Sequence, residues 1–186
     1  MRKRSTTTTG AVAVTAGALM LAGSAVAAER SFGDPRDDVR HGVDIETVKV
    51  VNEKNVRLVV RHKDLVRSYE SGAGMTAWVD TDPGNEGPEF AFAAGLFEGT
   101  DYVLVRTDGW KLRHGAVPLR CSYEMNLDYA EDVTRFRMSR ACLDRPDRVR
   151  VAVRAAGQQK DGDHVRDWLG RPREFTAWVG RGLIEG

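Results

Sequence analysis

Between residues 43 and 186 the chain is a succession of short runs rich in Val, Ile, Thr and aromatic residues, each broken by Gly, Pro, Asn or Asp. That punctuation constrains the fold more than any other feature. A strand with one buried face repeats its apolar residues every second position, whereas a helix repeats them about every 3.6. Val56, Leu58 and Val60 follow the two-residue period, and no segment sustains the helical one. The chain is therefore expected to be all-β, an antiparallel jelly-roll-like sandwich. Strands are expected over Val43 to Val51, Val56 to His62, Met75 to Thr81, Phe90 to Leu96, Tyr102 to Thr107, Val149 to Ala155 and Glu174 to Val179, with two longer ones beside the cysteines. Asp108-Gly109 is a hairpin signal. Single helical turns are expected at Lys63 to Ser68 and Leu143 to Arg148, and a loop before Glu174.

Cys121 and Cys142 are the only cysteines. A pair this isolated predicts a disulfide wherever thiols oxidise. Residues paired across an antiparallel hairpin have a constant sum of positions. Setting Cys121 opposite Cys142 therefore centres the turn between Glu131 and Asp132. It also places Tyr123 opposite Arg140, Met125 opposite Met138, Leu127 opposite Phe136 and Tyr129 opposite Thr134, all on one mostly apolar face. The other face sets Ser122, Glu124, Asn126 and Asp128 against Arg135, Arg137 and Ser139, acid facing base as cross-strand pairing prefers.

The N-terminal segment reads as an export signal. Arg2, Lys3 and Arg4 precede an apolar run from Ala11 to Ala22, then the small-residue box Ala25-Val26-Ala27. The run is short of the ~20 residues that span a bilayer. Cleavage near Ala27 or Ala28 divides the chain into a signal peptide (1–28), an extended lead-in (29–42) and one sandwich domain (43–186). Leu21-Ala22-Gly23 begins like a lipoprotein box, but Ser24 stands where the lipid-bearing cysteine has to be, so release without a lipid anchor is expected. Lys3 separates Arg2 from Arg4, so there is no twin-arginine pair. The Arg-heavy, Lys-poor usage suggests a high-GC bacterium. Without residues 1–28 there remain 25 basic against 27 acidic residues, a net charge of −2. That balance argues against a nucleic-acid binder and against electrostatic membrane binding. A secreted monomer that does not insert into membranes is expected.

Three sets of residues offer chemistry. Asp80, Asp82, Glu86 and Glu89 put carboxylates in one turn, and calcium takes six to eight such hard oxygens. The alternative reading is turn residues that cap their own backbone. Asp161, Asp163 and Asp167 form a second acidic group in the last long loop. Trp78 and Trp178 fall on the more polar faces of their strands, Trp110 follows a turn and Trp168 lies in a loop. Flat rings beside carboxylates and Arg suit sugar recognition, while the plainer reading is packing. Trp110, Trp168, Trp178 and Asp163 are the candidate ligand-binding residues. His41, His62, His114 and His164 are too scattered for a zinc site. No nucleophile elbow supports Ser-His-Asp catalysis.

The Asp44-Ile45 strand opening, Trp78-Val79-Asp80-Thr81-Asp82, Gly87-Pro88-Glu89, Asp101-Tyr102-Val103-Leu104 and the stretch from Cys142-Leu143 to Val149-Arg150-Val151 resemble the DOMON-like and family-9-like carbohydrate-binding β-sandwiches, and secreted actinobacterial proteins of that kind. The resemblance implies a jelly-roll-like sandwich that binds a sugar or, in one branch, haem. The haem branch needs an axial pair such as Met and His, and no such pair maps onto this sequence. The expectation is a secreted, non-catalytic binding domain for an extracellular carbohydrate or other small ligand, with calcium as the one cofactor to consider. The alternatives are an envelope-associated protein-interaction or structural domain, and a hydrolase whose site carries no known motif.

Overall fold

A computed structural model describes residues 28–34, 43–112, 115–158 and 162–182. Residues 1–27 of the expected signal peptide, most of the lead-in, His41, His114 and Asp161 lie outside the described residues. The strands are β1 (Glu29–Gly33), β2 (Ile45–Asn52), β3 (Asn55–His62), β4 (Gly74–Asp80), β5 (Phe90–Gly95), β6 (Tyr102–Arg106), β7 (Tyr123–Asp128), β8 (Val133–Ser139), β9 (Arg148–Gln158), β10 (His164–Trp168) and β11 (Val179–Gly180). They form two antiparallel sheets. One has the order β1-β2-β3-β8-β7; the other has the order β10-β9-β4-β5-β6, with β11 also on β9. The all-β sandwich expected from the two-residue period is what the chain forms.

The core lies between the sheets because each strand turns its alternate apolar residues inward. Val56, Leu58 and Val60 of β3 meet Met75, Ala77 and Val79 of β4 and Val149, Val151 and Val153 of β9 in one buried cluster. Phe92 and Phe136 join the sheets edge to face at 4.6 Å. Asp167 of β10 points inward too, and its Oδ2 accepts the Ile45 N–H at 2.5 Å. That bond ties the second sheet to the start of β2, where the pairing with β3 shifts register between Ile45 and Thr47.

Within the expected extended lead-in, Glu29–Gly33 forms β1, laddered against β2 from Glu29 opposite Val51 to Gly33 opposite Thr47. Other expectations need correction. His164–Trp168, read as loop, is β10, paired with the second half of β9. The last strand is only Val179–Gly180. Glu174 to Trp178 runs beside β9 without laddering, because Thr176 Oγ1 takes the Val151 N–H at 3.1 Å. The short helical turns are 3₁₀ and sit at Tyr69–Ser71 and Arg140–Leu143, each displaced from its expected place.

The disulfide Cys121–Cys142 is present, with Cα atoms 5.6 Å apart. Its hairpin register is nevertheless two residues from the expected one: Tyr123 faces Met138, Met125 faces Phe136 and Leu127 faces Thr134. The bond lies beyond the ladder. β8 ends at Ser139, and Cys142 falls in the 3₁₀ turn Arg140–Leu143. A 3₁₀ turn rises ~2 Å per residue against ~3.3 Å in a strand, so it draws Cys142 back toward Cys121. A two-residue shift keeps every side chain on its face. The acid–base face therefore survives, now with Glu124 directly opposite Arg137 and bonded to it at 2.5 Å.

Candidate functional site

The outer face of the second sheet carries the densest chemistry in the fold. β9 reads Arg148-Val149-Arg150-Val151-Ala152-Val153-Arg154. Its valines face the core, so the period of two sends Arg148, Arg150, Ala152, Arg154 and Ala156 outward. Register then builds rows across the sheet. Trp168, Arg154, Thr76 and Ala93 share one row; Ala152, Trp78 and Ala91 share the next; Arg150 and Asp80 share a third.

Trp78 does fall on the outward face, but only 2 % of it is exposed. It is roofed by two rings from distant segments. Trp168 stacks on it at 5.3 Å with 11° between the planes, and Trp110 lies 5.6 Å away. Trp110 comes from the connection between β6 and β7. Trp168 is the last residue of β10, which register sets beside the β4 row. Phe175 packs on Trp110 at 4.9 Å. Its position follows from a looped-out segment. Trp168 sits opposite Arg154 and Val179 opposite Val149, so the chain advances eleven residues where β9 advances five. The surplus loops out between Leu169, bonded to Val153, and Thr176, bonded to Val151; Phe175 and Trp178 flank that return, with Trp178 over Arg148 and Arg150 at 5.4 and 4.6 Å.

The three outward arginines of β9 alternate with these rings. Arg150 lies 4.7 Å from Phe175 and 4.6 Å from Trp178. Arg154 lies 5.3 Å from Trp78 and 5.8 Å from Trp168. A guanidinium over an aromatic face is attracted by the ring quadrupole, worth ~0.5–2 kcal/mol. Arg150 also has a carboxylate: its Nε donates to Asp80 Oδ2 at 2.7 Å, and Asp80 is wholly buried. Burial pushes the Asp80 carboxyl above its ordinary range; the Arg150 hydrogen bond and charge pull it back, and Glu89 adds to the upward push. Arg154 differs. No ion pair joins it to a carboxylate among the described residues, and its Nε is buried without a hydrogen-bond partner. Burial lowers its pKa, and the charge of Arg166 lowers it further.

Beside Arg154 the outer face opens into a groove of about 380 Å³, lined by Gly72, Gly74, Thr76, Ala93, Asp101, Arg154 and Ala156 among others. The outward positions near its floor, Gly74, Ala93 and Ala156, carry small or no side chains, which leaves the sheet surface flat. A Cβ on Gly74 would sit 3.2 Å from the Ala94 carbonyl oxygen, so the site stays bare for a local packing reason.

Three of the four candidate calcium ligands have separate partners. Asp80 is held by Arg150. Asp82 Oδ1 accepts the Gly84 N–H at 2.8 Å. Glu89 accepts from the Thr81 N–H at 2.7 Å and from Asn85 Nδ2 at 3.1 Å. Glu86 is exposed. These bonds match the reading of turn carboxylates that cap their own loop. Among the described residues, no group of three or more His, Cys, Asp or Glu is placed to hold a metal ion. In the second acidic group, Asp163 is exposed and Asp167 is buried in its cross-sheet bond, while Asp161 lies outside the described residues. His62 is buried against Thr134, with Nε2 3.1 Å from Oγ1, and burial holds its pKa down to about 4, opposed by the Val43 backbone.

A larger hollow of about 920 Å³ lies on the first sheet, lined by Glu29, Lys49, Arg57, Glu124, Arg135 and Arg137 with several apolar residues. Its charges are already neutralised: Lys49 with Glu29 at 2.8 Å, Arg57 with Glu53 at 2.8 Å, Arg137 with Glu124 at 2.5 Å, and Arg135 with Asp128 at 3.2 Å. Size favours this hollow, but uncompensated chemistry favours the groove at Arg154. Of the expected tryptophans, Trp168 stands beside the groove through its contact with Arg154; Trp110 and Trp178 belong to the aromatic cover. Arg154 was missed, although the alternation of Arg and Val over 148–154 announced a strand with a cationic outer face. No protein-family model and no curated protein matches the chain.

Proposed function

We propose that this chain is an exported, non-catalytic β-sandwich that binds a carbohydrate on the outer face of its second sheet. The observation that carries the reading is the Gly- and Ala-floored groove lined by Arg154, whose guanidinium lies 5.8 Å from the Trp168 ring. A flat floor admits a sugar ring lying on the sheet, Trp168 is half-buried and so keeps part of its ring open, and Thr76 and Asp101 bring hydroxyl-bonding oxygens to the same groove. At about 380 Å³ the groove is near the lower end of small-ligand sites, ~300–1,000 Å³. Export is supported by the disulfide, which persists in oxidising compartments. Among the described residues no helix is long and apolar enough to cross a membrane. Two-sheet sandwiches host many functions, so the site rather than the fold supports the proposal.

The test is retention of the secreted chain on a panel of insoluble and gel-embedded polysaccharides. Retention is expected on at least one, weakened at least tenfold by Trp168→Ala or by Ala156→Trp, which fills the groove. No retention on any polysaccharide overturns the proposal and turns attention to a protein partner.

A further inference from the structure

We infer that the sugar bound in this groove carries an oxyanion, a ring carboxylate or a sulfate ester, and that Arg154 receives it. The inference rests on the carbohydrate reading above. Its argument is the state of Arg154. Six described arginines meet carboxylates: Arg57 with Glu53, Arg67 with Glu98, Arg106 with Asp144, Arg135 with Asp128 and Glu131, Arg137 with Glu124, and Arg150 with Asp80. The buried Arg140 is satisfied instead by the Asn52 side chain and the Pro146 carbonyl. Arg154 has no such partner among the described residues, and the one charge acting on it is the like charge of Arg166. A partly buried cation without a counter-charge is costly unless a ligand supplies one.

Its placement suits that task. Rings on β4 and β10 hold the guanidinium, at 5.3 Å from Trp78 and 5.8 Å from Trp168, so little side-chain freedom remains to be lost on binding. The planar fork of Arg matches an oxyanion through two parallel N–H bonds, which a lysine does not reproduce. Thr76, opposite Arg154 in the ladder, and Asp101, also lining the groove, are left for ring hydroxyls. The acid at Asp101 repels a second oxyanion and so orients the first toward Arg154. Long-range attraction does not explain such binding, because without residues 1–28 the chain carries 25 basic against 27 acidic residues, a net charge of −2.

The experiment is a tryptophan-fluorescence titration of the secreted chain with three probes: oligogalacturonate, dextran sulfate and neutral dextran. The stacked Trp78 and Trp168 rings report on Arg154 directly. We expect at least one charged probe to bind ten times more tightly than dextran, with the other charged probe showing which oxyanion is preferred. Arg154→Met abolishes that margin, Arg154→Lys restores only part of it, and Arg57→Gln on the opposite sheet leaves it unchanged. Thermal melting of each variant shows that the fold persists. Equal binding of all three probes, or a charged-probe margin that survives Arg154→Met, overturns the inference while leaving carbohydrate binding intact. Absence of binding to every sugar instead overturns the proposed function on which it rests.

Discussion

Protonation of His62 should set the acid limit of this fold. The ring is 2 % exposed, inside the first sheet, with Nε2 3.1 Å from Thr134 Oγ1. Burial holds its folded pKa down to about 4, whereas an unfolded histidine titrates at 6.5. Between those values the unfolded chain binds a proton that the folded chain refuses. Stability therefore rises with pH in this window, and is lost as pH falls from the unfolded value through the folded one. Each pKa unit is worth ~1.4 kcal/mol, so the loss between about pH 7 and about pH 4.5 comes to about 2.5 kcal/mol from this one ring. Urea unfolding at the two pH values, with the disulfide intact, measures it. Carboxylates titrate in the same range, so the comparison is with His62→Gln, which keeps them and removes the imidazole. The variant is expected to be less stable at neutral pH but to lose about 2.5 kcal/mol less on acidification. Equal acid losses in the two proteins would refute the reasoning and mean that the ring protonates without unfolding.

Two further outcomes follow from the geometry. Arg150→Ala leaves the wholly buried Asp80 carboxylate without its cation, at a cost of about 3 kcal/mol near neutrality. That deficit should shrink in acid, because the raised pKa of Asp80 lets the folded state take up the proton first; a deficit independent of pH would count against the pair. Replacing both Cys121 and Cys142 by serine removes a link across 21 residues and should lower stability by about 3 kcal/mol on the chain-entropy model, read by urea denaturation.

The hairpin around the disulfide shows how far local pattern reaches. Which residues share a face was legible, because faces depend only on the parity of the register. The register itself was not, because it was inferred from a disulfide assumed to lie on the ladder. A 3₁₀ turn at Arg140–Leu143 intervenes, and its tighter rise is invisible to a count of positions. β1 and β10 were hidden for a related reason. Glu29–Gly33 and His164–Trp168 are polar and short, and they are strands because β2 and β9 offer them free edges.

The same division holds at the candidate site. By itself the amino-acid sequence determined the all-β class, the inward valines and outward arginines of β9, the outward face of Trp78 and the pairing of the two cysteines. Each of these follows from a two-residue period or from thiol chemistry, both of which act along the chain. Only the tertiary structure decided that Trp110, Trp168 and Phe175 gather near Trp78, that Asp80 is spent on Arg150, and that Arg154 is left without a counter-charge beside a bare Gly and Ala floor. Those outcomes depend on which strands lie side by side and on where a looped-out segment lands, and contacts between residues far apart along the chain leave no trace in local pattern.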